Sequence, residues 1–293
     1  MQDYVTLQNV LNYIEAHLLE ELNFELIAKQ VHMSSYEFHR SFRYLSGMTV
    51  TAYIRSRRLS LAGQELLTSR IRITDLALKY GYDTPESFTK AFTRFHGTAP
   101  RHARQAGSSL KLFPPLVVKL IMEGGKTMDY RITEKEQLRF IALVRSFPNG
   151  IINEPDNHDI PDFWSEPQTH MLADKLRALR PDGKKDLYGL CSPTKNDTFH
   201  YGIGVLIDEN TAAFDEKQFL ADGYSIWTTA PTSYAVFNCM GTDSECIDEM
   251  WSFFYKEFLP QMGYKAAQET DFEIYPEIAK PGLFCELWIP IKK

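Results

Sequence analysis

Two sets of residue spacings in this chain could do chemistry. Toward the C-terminus, Glu273 is followed two residues on by Tyr275, and Glu286 by Trp288, each pair inside an apolar or aromatic run. Residues two apart in a strand share a face, so if the two runs pair, two carboxylates and two aromatic rings could converge. A carboxylate among ring faces attracts a lipophilic cation by charge and by the ring quadrupoles together. Trp164, Tyr188, Tyr201 and Trp227 could supply further walls, although such residues in a domain of this kind are more often core. Toward the N-terminus the chemistry is basic. His39, Arg40 and Arg43 lie off the apolar pair Phe38/Phe42, and Lys90 and Arg94 lie off Phe88/Phe92. Residues four apart share one helix face, so these cations are free to meet a ligand.

The elements that position the basic residues form a repeat. Phe24–Val31 followed by Ser34–Arg43 and Gly47 matches Ile73–Tyr82 followed by Thr84–Arg94 and Gly97. Ala28 pairs with Ala77, where a small residue lets two helices approach, and the second copy then carries one extra residue. Ser34-x-x-Glu37 fits a capping box. Thr84 is a good N-cap, with Pro85 at the first helical position. Gly47 and Gly97 suit helix C-caps. A short helix, a tight turn and a capped second helix make a helix-turn-helix, which sets one helix into a DNA major groove. The alternative is a plain helical bundle with accidental similarity.

Charge follows the same division. Residues 1–107 hold 13 Lys+Arg against 10 Asp+Glu, a net of +3, and the remainder carries −9, giving the chain its −6. Between His39 and Arg72 there are seven arginines and one acid, Glu65, a block suited to phosphate contacts. Arg55, Arg57, Arg58, Arg70 and Arg72 are candidate clamps on the DNA backbone. The opening residues do not read as a signal peptide, and no stretch is long and apolar enough to span a bilayer. Cys191, Cys239, Cys246 and Cys285 show no Cys-x-x-Cys spacing and read as buried, reduced thiols, which points to a cytoplasmic protein. There is no metal motif, Walker loop or Gly-x-Ser-x-Gly elbow, so no cofactor and no catalytic residue is expected.

Past Ala106 the pattern becomes mixed, with Ala106–Ser109 as the expected hinge. Strands are expected at 116–121, 140–147, 187–192, 201–208, 233–240, 272–275 and 284–289. Helices are expected at 160–179, stopped by Pro181, and at 244–259, stopped by Pro260. The similar order in the two halves hints at a structural duplication within an α+β domain.

The first part, about residues 5–105, resembles the AraC/XylS family of transcription regulators, most specifically in Ile73–Pro100 with Gly81-Tyr82, Phe88, Phe92 and Pro100. The resemblance implies an all-α domain of two helix-turn-helix subdomains, bridged by a helix over about Val50–Leu67, that enter successive major-groove segments. Base-contact candidates carried over by position are Tyr36, His39 and Arg40, then Glu86, Ser87 and Lys90. Glu86 is unfavourable near phosphates unless it accepts from a cytosine amine. With Arg43 and Arg94 added, the first recognition helix is expected to carry more of the affinity.

Residues 112–293 resemble the GyrI-like effector-binding family. The matching stretches are Asp129–Ile132, Ile160–Trp164, Tyr234–Phe237, Trp251, Asp271–Tyr275 and Cys285–Ile291. The resemblance implies an antiparallel sheet with two helices, pseudo-duplicated, and a cleft for amphipathic, often cationic, molecules holding a glutamate between aromatic walls. Glu273 takes that role. The expected organisation is a DNA-binding domain over 1–107, a linker over 108–111 and an effector-binding domain over 112–293. The expected function is transcription regulation by a small ligand, with promoter DNA and RNA polymerase as partners and no membrane association. Two alternatives stay open: a hydrolase of reactive natural products with Glu273 as general base, and a protein-interaction module.

Overall fold

A computed structural model of the chain describes residues 2–105, 109–118, 128–149, 159–180, 186–193, 198–209 and 211–293. The expected hinge, apart from Ser109, lies outside them. The helices are α1 (Gln2–Ala16), α2 (Phe24–Gln30), α3 (Ser35–Ser46), α4 (Val50–Thr68), α5 (Ile73–Lys79), α6 (Pro85–His96), α7 (Pro100–Ala103), α8 (Asp159–Ser165), α9 (Pro167–Arg177), α10 (Glu216–Ala221), α11 (Glu245–Phe253) and α12 (Leu259–Met262). The strands are β1 (Tyr130–Lys135), β2 (Arg139–Pro148), β3 (Leu187–Pro193), β4 (Thr198–Leu206), β5 (Ser225–Thr228), β6 (Thr232–Met240), β7 (Lys265–Ala266), β8 (Asp271–Tyr275) and β9 (Leu283–Lys292). The chain divides into two compact units, Met1–Met33 with Met48–Gly124, and Ser34–Gly47 with Gly125–Lys293. Helix α3 therefore belongs to the second unit.

In the first unit, the second helix-turn-helix is built as its residues dictate. Leu76, Ala77, Phe88 and Phe92 are fully buried in one cluster with Leu59, Ala62 and Leu66 of α4. The Thr84 hydroxyl accepts from the Ser87 N–H at 3.1 Å, and Gly97 closes α6 at φ +80°. Gly81, at φ +78°, makes the turn, and a Cβ there would meet the Arg58 guanidinium at 2.6 Å. The Tyr82 N–H reaches back to the Ala77 carbonyl as Met33 does to Ala28, so Asp83 is the extra residue of the second copy. Of the strand expected at 116–121, residues 119–121 lie outside the described residues and residues 116–118 form no strand. Two of these N–H groups go to side-chain acceptors: Leu116 donates to the Tyr53 hydroxyl at 3.3 Å and Val118 to Gln8 Oε1 at 2.9 Å.

The second unit is one antiparallel sheet in the order β1-β6-β9-β8-β3-β4-β2-β5, with β7 on β9. Its halves repeat one strand order outward from the centre of the sheet. The run β2-helices-β3-β4 corresponds to β6-helix-β8-β9. Each half takes its edge strand from ahead of the other, since β1 pairs β6 and β5 pairs β2. The seam between the halves is the β3–β8 ladder. Helices α8 and α9 pack on one half through Phe163, Ala173 and Leu176. Helix α11 packs on the other through Met250 and Trp251. The expected 160–179 helix is broken at Glu166, because Pro167 has no N–H to continue the ladder and instead opens α9. Pro260 does not stop the last helix, which runs on to Met262. A π-helical turn over Phe254–Phe258 widens the backbone just ahead of it, and such a turn changes the hydrogen-bond register where the proline lacks its donor.

Candidate effector cleft and nucleic-acid interface

The alternation of β8 sends Asp271, Glu273 and Tyr275 to the helix-covered face, while Phe272 and Ile274 join the cluster on the opposite face. Register places Cys191 opposite Asp271 and Gly189 opposite Glu273 on β3, with Tyr201 of β4 one strand further. The Tyr201 hydroxyl donates to Glu273 Oε2 at 3.3 Å and accepts from Trp164 Nε1 at 3.0 Å. Trp164 also meets Tyr275 edge-on at 5.0 Å. Glu273 is 7% exposed. Burial, reinforced by the Asp271 charge, pushes its carboxyl up to about 8 against the pull of Arg40 and the Tyr201 hydroxyl.

Helix α3 lies on this same face. Its capping box is intact: Ser34 accepts from the Glu37 N–H at 3.1 Å, and Glu37 accepts in return from the Ser34 N–H. Tyr36, Arg40 and Tyr44, each four residues on, form one stripe. Arg40 is bidentate to Asp271 at 2.6 and 3.2 Å. Its guanidinium lies 4.7 Å from the Tyr36 ring centroid and 3.9 Å from that of Trp251. The Tyr36 hydroxyl and the Cys191 thiol share a hydrogen bond at 2.8 Å, and the Tyr44 hydroxyl donates to Asp248 at 2.8 Å. Burial raises Asp271 above the ordinary carboxylate range, and Arg40 draws it part of the way back. Beside Arg40 and Asp271 remains a cavity of about 20 Å³, room for about one water.

The convergence expected of the last two strands does not form. They pair, but Trp288 stands opposite Phe272 and Glu286 opposite Ile274, so both lie across the sheet from Glu273. Glu286 instead accepts from Arg131 at 2.6 Å and from Trp288 Nε1 at 3.1 Å. Trp227 and Tyr188 also lie on that far face, and Trp227 donates to Thr270 Oγ1 at 3.0 Å. The reason is the one-residue stagger of the pairing, which exchanges faces along the whole strand. Asp271 and Trp251 join this face beyond the residues expected from the sequence. Asp271 was signalled by the same alternation that marked Glu273 and Tyr275. Nothing in the sequence marked its partner on α3, which is 231 residues away.

The two helices expected to read DNA differ in exposure. On α6, Glu86, Ser87, Lys90 and Arg94 are all exposed. On α3, Tyr36, His39 and Arg40 are buried, and Arg43, its side chain 17% exposed, lies 3.6 Å from Asp248. Two expected clamps are occupied inside the helical unit. Arg57 pairs with Glu15 at 2.8 Å, and Arg58 donates to the Leu18 and Glu20 carbonyls at 2.6 and 3.0 Å. Arg55, Arg70 and Arg72 remain exposed.

Two capped helix-turn-helix sequences ahead of a duplicated sheet with a buried acid pair define a DNA-binding regulator with an effector-binding domain. The chain belongs to the family described as integron-associated effector binding protein, which matches residues 131–291, and a helix-turn-helix domain matches residues 27–106. It is 26% identical to the right origin-binding protein of Escherichia coli K12 over 309 aligned positions, covering 98% of each chain. It is 34% identical to the regulatory protein SoxS of Salmonella typhimurium, over 33% of this chain and 92% of that one. A solved structure of SAV2435 bound to tetraphenylphosphonium aligns with 56% of this chain and 94% of that one, at 20% identity and a TM-score of 0.46. Among the described residues no helix is long and apolar enough to cross a membrane.

Proposed function

We propose that the helix-covered cleft binds an amphipathic organic cation and that this binding sets the protein's occupancy of promoter DNA, acting on transcription through RNA polymerase. The observation that carries the reading is the buried acid pair Asp271/Glu273 on one face of β8, bordered by Tyr201, Tyr275, Trp164 and Trp251. Buried carboxylates are costly unless a cation or hydrogen bonds meet them. Arg40 between two rings beside Asp271 supports the same chemistry, since the cleft already holds a cation on aromatic faces. We read the protein as a binder rather than an enzyme, with Glu273 as the ligand's counter-charge. The DNA contacts assigned to α6 are Lys90 and Arg94 to phosphates, with Ser87 and Glu86 toward base edges.

Fluorescence titration of the full chain with tetraphenylphosphonium, a hydrophobic monovalent cation, tests the cleft. Glu273→Gln is expected to weaken binding about tenfold or more, the equivalent of about 1.4 kcal/mol. Equal affinity in the variant removes Glu273 from the site.

A further inference from the structure

The chemistry proposed for the effector is already present in the cleft, supplied by the protein itself. Arg40 brings a cation, Asp271 its counter-charge, and Tyr36 and Trp251 the flanking rings. Arg40 Nε makes no hydrogen bond, so that edge of the guanidinium relies on ring faces rather than polar partners. The space left beside Arg40 and Asp271 is about 20 Å³, whereas pockets for organic ligands measure about 300–1,000 Å³. Tyr44 anchors the far end of the same stripe, stacked on Trp251 and Tyr255 with centroids 6.0 and 6.1 Å away and bonded to Asp248. The stripe is drawn from the first recognition helix, whose Tyr36, His39 and Arg40 are consequently out of reach of any base edge in this arrangement.

We propose that α3 is a tethered competitor of the effector. Arg40 occupies the cation site, an incoming amphipathic cation binds by displacing it, and the displacement releases the first recognition helix for DNA. This rests on the reading of the cleft as the effector site. Two mutually exclusive occupants of one site are coupled reciprocally, so whatever loosens α3 must tighten the cation and the reverse. The apparent affinity for the cation is lowered by the fraction of molecules in which α3 is docked.

The test measures tetraphenylphosphonium affinity in the full chain together with hydrogen exchange over residues 35–46. Arg40→Ala is expected to bind the probe about tenfold more tightly. Because that variant leaves Asp271 without its counter-charge and could fold poorly, the double variant Tyr44→Phe/Asp248→Asn loosens α3 at its far end, where the Asp248 side chain is 47% exposed. It is expected to bind about threefold more tightly. In the wild-type chain, saturation with the probe is expected to speed exchange across residues 35–46 and to lower the protein concentration needed to retard promoter DNA. Probe binding that leaves exchange over 35–46 unchanged or slower overturns the competition and leaves the cleft reading standing. So does unchanged or weaker affinity in the double variant. Absence of probe binding in the wild type and both variants overturns the cleft reading and the competition together.

Discussion

The Tyr201 hydroxyl reaches Glu273 directly over the backbone of Gly189, which leaves open the space their bond crosses. A Cβ at position 189 would stand 2.3 Å from both Glu273 Oε2 and the Tyr201 oxygen. The glycine is thus the part of the β3–β8 seam that allows a carboxylate and a phenol to meet there, and it faces the cleft because Gly189 is registered opposite Glu273.

Gly189→Ala is therefore expected to separate the pair. Overpacking at a buried site costs about 1–3 kcal/mol, visible as a lower urea midpoint, and the displaced carboxylate should weaken tetraphenylphosphonium binding as well. A variant with wild-type midpoint and affinity would mean that the cleft is looser around Gly189 than these distances allow.

Glu273 also predicts a pH dependence of stability. Its carboxyl is raised from an ordinary value of 4.5 to about 8 by burial first and by Asp271 second. A group whose folded pKa is raised contributes its full stability below the unfolded value and loses it as pH rises through the folded one. Unfolding free energy attributable to Glu273 should fall between about pH 4.5 and 8, by a few kcal/mol. Asp271 and Tyr275 on the same strand, Arg40 and Tyr36 on α3, Cys191 on β3 and Tyr201 on β4 face this region, and burial raises Asp271 as well. Subtraction of the Glu273→Gln profile isolates the contribution. Parallel profiles for the two proteins across the window would contradict it.

On the DNA side, Lys90→Ala and Arg94→Ala are each expected to lower promoter affinity and to reduce the salt slope by about 1, the signature of a lost phosphate contact. Arg57→Ala should behave differently. It leaves Glu15 with only the Tyr53 hydroxyl and no counter-charge, and releases the Phe113 carbonyl to which Arg57 also donates, so it lowers the denaturation midpoint while the folded protein keeps its salt slope. Gel-shift series at several salt concentrations separate the two effects. An unchanged slope in both α6 variants would remove α6 from the DNA interface.

Much of the local structure was legible in the residues because it depends on near neighbours. Ser34, Thr84, Gly47 and Gly97 act within a turn of their own helices, and the period-two alternation of β8 already set Glu273 and Tyr275 on one face. The helix breaks show the limit of that local reading. Pro167 ends one helix and starts another, whereas Pro260 is carried past by a π-helical turn whose Phe254 and Phe258 pack against the sheet. Local patterns also marked which α3 residues left the Phe38/Phe42 stripe, though not where they would go.

What tertiary structure decided were the choices between equal local options. Alternation fixes which residues of a strand share a face, but strand pairing decides which face meets which neighbour, and it put Glu286 and Trp288 on the far side from Glu273. The amphipathic pattern of α3 is compatible with DNA or with protein on its polar side. Its placement was settled by Asp271, Cys191 and Asp248, each more than 150 residues away in the chain, because a buried arginine is tolerated only where a counter-charge is waiting for it.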